Sequence, residues 1–241
     1  MKPKTCCAWL LAGWQSVALA QAPSVRLLTE DYPPFNMILP SGEIGGMSTE
    51  VVRELFSRAG IPYRIELQPW IRAFNSAVLD NNTCVYSTTR SEHREHQFKW
   101  VGPLLENRWV LYAGPKSPSG ISSLEDARPY TIGGYAGDAE AQYLIARGFN
   151  VELTPIDALN ARKLSLGRID FWATGAYRGI YVRAQEKVPL LHQALEFNTV
   201  LLYLACNPGV ADLTIQRLND ILNTMQHESF SDQVRKRYVG H

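Results

Sequence analysis

Short apolar strands alternate with amphipathic helices along almost the whole of this chain, and that alternation limits its fold more than any other feature. Strands are read at 24–29, 63–67 and 83–87 from period-two patterning, as in Tyr63, Ile65 and Leu67. Between the first two, Ser48 or Thr49 can cap a helix that carries Val51, Val52, Leu55, Phe56 and Ala59 on one face and stops at Gly60. A second helix follows Pro69-Trp70 over 71–79. The series then begins again. Strands are read at 109–113, 130–133, 151–153 and 169–173, with helices at 139–147, 156–166 and 177–184. Asp138 is placed to cap the first of these helices. A final strand at 200–205 precedes helices at 210–225 and 230–238. A β-α-β-α-β order predicts an α/β fold with a mostly parallel sheet flanked by helices. It occurs here twice, at about 24–106 and 107–199, followed by a returning C-terminal segment.

The first 22 residues read as a leader and not as part of that fold. Lys2 and Lys4 form a basic start, Cys6 to Trp14 an apolar core, and Ala18-Leu19-Ala20 and Ala20-Gln21-Ala22 are cleavage signals. The apolar run is too short to span a bilayer. Taking Lys2 and Lys4 from the 24 basic residues leaves 22 against 23 acidic ones, so charge gives no case for a nucleic-acid partner. The mature chain keeps Cys84 and Cys206. An exported protein permits a bridge between them, and two buried thiols fit the sequence equally.

In parallel sheets ligands bind beyond the carboxyl ends of the strands. Tyr32, Phe35, Trp70, Thr89 and Arg94 all follow predicted strand ends. The segment Ser87-Thr88-Thr89-Arg90-Ser91-Glu92-His93-Arg94 joins hydroxyls to a guanidinium, whose forked donors match the two oxygens of a carboxylate. Its spacing favours Arg94 over Arg90. His93 and His96, among Glu92 and Glu95, read as a solvated face and not as metal ligands. Gly133-Gly134-x-x-Gly137 lacks the dinucleotide spacing, and no nucleophile-elbow motif occurs, so no cofactor or metal is expected.

Four motifs, in order, resemble those of the bacterial extracellular solute-binding proteins of family 3. They are Tyr32-Pro33-Pro34-Phe35 with Gly46-Met47-Ser48, Thr89-x-Ser91-x-x-Arg94, the turn Tyr135-Ala136-Gly137-Asp138, and Gly167-Arg168-Ile169-Asp170-Phe171. The resemblance implies a two-lobe periplasmic-binding-protein fold of type II, with lobe 1 at 23–106 plus 200–241 and lobe 2 at 107–199. It also implies hinge closure on a small-molecule ligand. Arg94 would grip a ligand carboxylate with Thr89, Ser91 and the backbone near Ser87, and Tyr32, Phe35 and Trp70 would wall the cleft. Asp138 and Thr174 would approach from the second lobe. A periplasmic monomer delivering its solute to an inner-membrane ABC permease is the function so implied, without enzymatic activity.

The chain departs from the family pattern at two positions. Gly175 stands where the family's amino-binding Asp is usual, and Asp138 stands in place of a Thr. Either Asp138 takes over the amino group or the ligand is not an α-amino acid, and the capping role of Asp138 favours the second. The alternatives are an enzyme resembling cyclohexadienyl dehydratases, with Glu30, Asp31 or Asp138 as acid or base, and an accessory receptor that senses a ligand.

Overall fold

A computed structural model describes residues 24–240. The leader expected at 1–22 lies outside them. Eight strands form one mixed sheet: β1 (Val25–Thr29), β4 (Tyr63–Leu67), β5 (Thr83–Thr89), β6 (Lys99–Ala113), β7 (Ile132–Tyr135), β8 (Val151–Thr154), β9 (Phe171–Gly175) and β10 (His192–Cys206). Two short strands, β2 (Met37–Ile38) and β3 (Ile44–Gly45), make a separate hairpin. The sheet order is β4-β1-β5-β10-β6-β9-β7-β8. β1 is parallel to β4 and β5, and β7 is parallel to β8 and β9. Only the central junctions through β10 and β6 are antiparallel.

Among the described residues, seven α-helices flank the sheet: α1 (Met47–Ala59), α2 (Trp70–Leu79), α3 (Ala139–Ala146), α4 (Ala158–Leu166), α5 (Ala176–Gln185), α6 (Asp212–His227) and α7 (Phe230–Val239). Their buried apolar faces divide between separate cores. Two clusters draw their buried members from residues 25–105 and 202–234. Two others draw theirs from residues 110–191. β6 and β10 run through both regions, paired over most of their 15 residues each.

Three local expectations are corrected. Neither Ser48 nor Thr49 caps α1. Its first N–H groups, on Met47 and Ser48, donate to the Pro34 and Phe35 carbonyls at 2.9 and 2.8 Å, so the preceding loop satisfies the helix end. Gly46, at φ 108°, allows that approach, because a Cβ there would lie 2.5 Å from the Phe35 oxygen. Asp138 occupies the N-cap position of α3 but makes no side-chain cap hydrogen bond. The strands expected at 109–113 and 200–205 are the visible parts of β6 and β10, which pair far beyond their apolar segments. Cys84 and Cys206 lie opposite each other on β5 and β10 and form a disulfide, with sulfurs 2.11 Å apart.

Candidate functional site

The parallel strands set the site, because their carboxyl ends deliver the loops that meet there. After β1 come Glu30 and Tyr32; after β4, Pro69 and Trp70; at the end of β5, Thr89 and then Arg94. From the other side come Gly137 and Asp138 after β7, and Gly175 at the end of β9. Four hydrogen bonds join the two groups. Trp70 Nε1–H and Arg94 Nη2–H both donate to the Gly137 carbonyl, at 2.9 and 3.0 Å. Tyr135 O–H donates to Glu30 Oε2 at 2.9 Å, and the Gly175 N–H donates to the Tyr32 hydroxyl oxygen at 3.2 Å.

These contacts enclose a space of about 20 Å³, little more than one water molecule occupies. Glu30, Tyr32, Trp70, Ser87, Thr89 and Arg94 line it, together with Asn107, Asp138 and Leu202. Six of the nine expected site residues therefore converge there: Arg94, Thr89, Ser87, Tyr32, Trp70 and Asp138.

The other three lie elsewhere. Phe35 is fully buried in the core beside Tyr32 and Tyr177, and it fixes the loop from beneath. Ser91 precedes the 3-10 turn Glu92–Gln97 and lines a neighbouring groove with His93 and Trp109. Thr174 turns its hydroxyl onto Asp157 Oδ2 at 3.3 Å. Glu30 and Asn107 line the cavity without having been assigned to ligand binding from sequence. Glu30 directly follows a predicted strand end, which is a usable signal. Asn107 lies in the polar part of β6, where no pattern marks its side chain.

Arg94 is 4% exposed. Its Nη1–H donates to the Thr89 carbonyl at 3.3 Å, and its guanidinium lies over the Phe74 and Trp70 rings at 5.0 and 5.5 Å. Burial lowers its pKa, against the opposing pull of Asp138 and Glu30. Among the described residues it has no ion-paired carboxylate, and its hydrogen bonds go to carbonyl oxygens. Arg90 points away, paired with Glu95 at 2.7 Å and stacked near Trp100 and Tyr203.

Acids dominate the opposite wall. Burial pushes the Glu30 carboxyl up to about 8; Asp138 adds to the shift and the Tyr135 hydrogen bond opposes it. Asp138 is raised by burial, although Arg94 favours its charged form. Ser87 holds a left-handed φ of 61°, uncommon for a non-glycine residue, and its hydroxyl donates to Asn36 Oδ1. No group of three or more His, Cys, Asp or Glu side chains among the described residues is arranged to hold a metal ion.

Comparison with known proteins covers nearly all of this architecture. Residues 25–241 match the family model of the bacterial extracellular solute-binding proteins, family 3. A histidine kinase sensor domain described as similar to periplasmic binding proteins superposes with a TM-score of 0.83 at 21% identity, over 91% of this chain and 97% of that one. An ancestral arginine-binding protein bound to arginine gives 0.78 at 18% identity, over 91% and 100%. The arginine-, lysine-, histidine-binding protein ArtJ of Geobacillus stearothermophilus gives 0.78 at 17% identity, over 91% and 96%. No curated protein sequence matches the chain. The fold is that of the periplasmic binding proteins.

Proposed function

We infer, since the chain belongs to the bacterial extracellular solute-binding proteins, family 3, that it captures a small carboxylate-bearing solute between two lobes and delivers it to an ABC importer. The observation that carries this reading is Arg94, a buried guanidinium at the cleft with no carboxylate of its own. A buried charge is stable when it is paired, and a bidentate carboxylate fits the donors that Arg94 leaves unused. Thr89 and Ser87 stand beside it, and Tyr32 and Trp70 wall it.

The lobes are 23–106 plus 200–241, and 107–199; separate apolar cores on either side of β6 and β10 support that division. Closure brings Gly137 onto Trp70 and Arg94. The leader at 1–22 directs the chain to the periplasm, where it acts as a monomer facing an inner-membrane permease. No described helix is long and apolar enough to cross a membrane. Calorimetric titration with amino acids and simple organic acids tests the reading. A ligand that binds wild type and binds the Arg94→Ala variant at least about 30-fold more weakly agrees with it.

The likeness to a histidine kinase sensor domain favours a second role, reporting the solute to a membrane partner. Permease and ATPase genes beside the coding sequence separate transport from sensing.

A further inference from the structure

Two side chains of the second lobe pack into the cores of the first. The core around Phe35 takes Tyr177, from the start of α5, and the core around Trp70 takes Tyr135, from the end of β7. Among the described residues, every other member of those two cores lies in 25–105 or 202–239. The reverse exchange does not occur: the remaining two cores draw on 110–197 alone. The apolar seam between the lobes is thus one-sided, and both side chains that cross it are tyrosines.

The centroid of the Tyr177 ring lies 6.3 Å from that of Phe35, and the Arg108 guanidinium covers it at 5.3 Å. Tyr177 also lines a groove of about 500 Å³ with Arg108 and Arg235. Tyr135 donates its hydroxyl to Glu30 at 2.9 Å and lines an outer cavity of about 370 Å³. Each tyrosine therefore meets an apolar core on one side and an open groove on another. That position suits the residue: the ring gains from burial, and the hydroxyl keeps a polar partner when wet. A leucine or phenylalanine uncovered by opening would present apolar surface alone. Gly175 lets α5 come this near, since a Cβ there would lie 2.9 Å from the Tyr32 hydroxyl, which accepts the Gly175 N–H at 3.2 Å.

We propose that Tyr135 and Tyr177 are positioning residues for closure: two rings carried by the second lobe that seat in the cores of the first and raise the population of the closed arrangement. This rests on the two-lobe reading of the solute site. Neither tyrosine lines the cavity at Arg94. Their effect on affinity is therefore indirect, because apparent affinity scales with the fraction of the protein in the binding-competent arrangement. Each ring contact is expected to change that fraction by about threefold to tenfold.

The test reads the separation of the lobes directly. Leu79 in α2 and Leu153 in β8 are exposed, one in each lobe. Spin labels on Leu79→Cys and Leu153→Cys report the distance by pulsed electron resonance, in the otherwise wild-type chain and with Tyr135→Ala, Tyr177→Ala, Tyr135→Phe or Tyr177→Phe added. Each protein is measured alone and with the twenty L-amino acids, butanoate and succinate, whose affinities are read by calorimetry on the same proteins without labels. Thermal midpoints verify folding; where an Ala variant does not fold, the Leu variant replaces it and is expected to act in the same direction. The expected result is a short-distance population that falls by about threefold to tenfold in each Ala variant, affinity for any bound probe falling by the same factor, and both largely restored by Phe. Folded Ala variants with wild-type distances and affinity would overturn the proposal, while a probe that still needs Arg94 would leave the solute reading standing. If no probe binds wild type even at millimolar concentration, the solute reading fails, and the distances in the free proteins decide this proposal: a population shifted by Ala and restored by Phe supports it, and identical distributions overturn it.

Discussion

Two buried arginines line separate cavities that share Glu30, and they are treated in opposite ways. Arg178, 6% exposed, pairs through Nε–H with Asp157 Oδ2 at 3.2 Å. Asp157 also accepts from Trp172 Nε1–H and from the Thr174 hydroxyl. Burial pulls the Arg178 pKa down, but Asp157, Tyr32 and Glu30 more than offset it and leave the pKa raised. Arg94, as deeply buried, has carbonyls and ring faces for company, and its pKa falls. One guanidinium is a closed structural unit inside the second half of the chain. The other makes no direct ion pair where the strand ends converge, and Asp138 and Glu30 act on it only through space. Equal burial thus hides two different settings, an ion-paired guanidinium and one whose hydrogen bonds go only to carbonyl oxygens.

Breaking the closed unit carries the largest expected effect. Removing one partner of a buried ion pair strands the other charge. Asp157→Asn or Arg178→Ala is therefore expected to cost about 3–5 kcal/mol, a fall of roughly 10 °C in the thermal midpoint. Next comes the Cys84–Cys206 bridge, which spans 122 residues of chain. Its reduction, or Cys84→Ser, is expected to cost about 2–4 kcal/mol by urea unfolding. It acts within the first core and sets a scale for structural stabilisation away from the arginines. Arg94→Ala lies well below both. The loss of two carbonyl hydrogen bonds is offset by relief from burying an unpaired charge, so its stability is expected within about 1 kcal/mol of wild type. A fall as large as that of Asp157→Asn would erase the contrast.

The smallest effect concerns Glu30. A carboxyl whose folded pKa is raised contributes stability below its unfolded value, near 4.5, and loses it as pH rises through about 8. The midpoint of wild type is expected to fall relative to Glu30→Gln between pH 6 and 9. Parallel curves would show that Glu30 titrates normally.

The alternating pattern makes most elements legible in the sequence, because strand and helix periods differ and Gly60, Gly148 and Gly167 end helices in the left-handed conformation. Trp70, Thr89 and Arg94 were legible for a related reason: a parallel sheet places residues after strand ends at one edge. The length of β6 was not. Gly102, Pro103 and the polar run Glu106-Asn107-Arg108 hide a strand that pairing with β10 maintains. Asn107 was invisible with it, since the direction of its side chain depends on a register that shifts three times along that pair. Phe35 misled because an aromatic in a Pro-flanked loop has the same sequence signature whether it faces a ligand or a core.

The claim that Arg94 holds the ligand's carboxylate is tested most directly by calorimetric titration of wild type and Arg94→Ala, side by side, with an amino acid that binds wild type. An affinity lowered at least about 30-fold, with the thermal midpoint nearly unchanged, is the expected result. Equal affinity in the two proteins would contradict it.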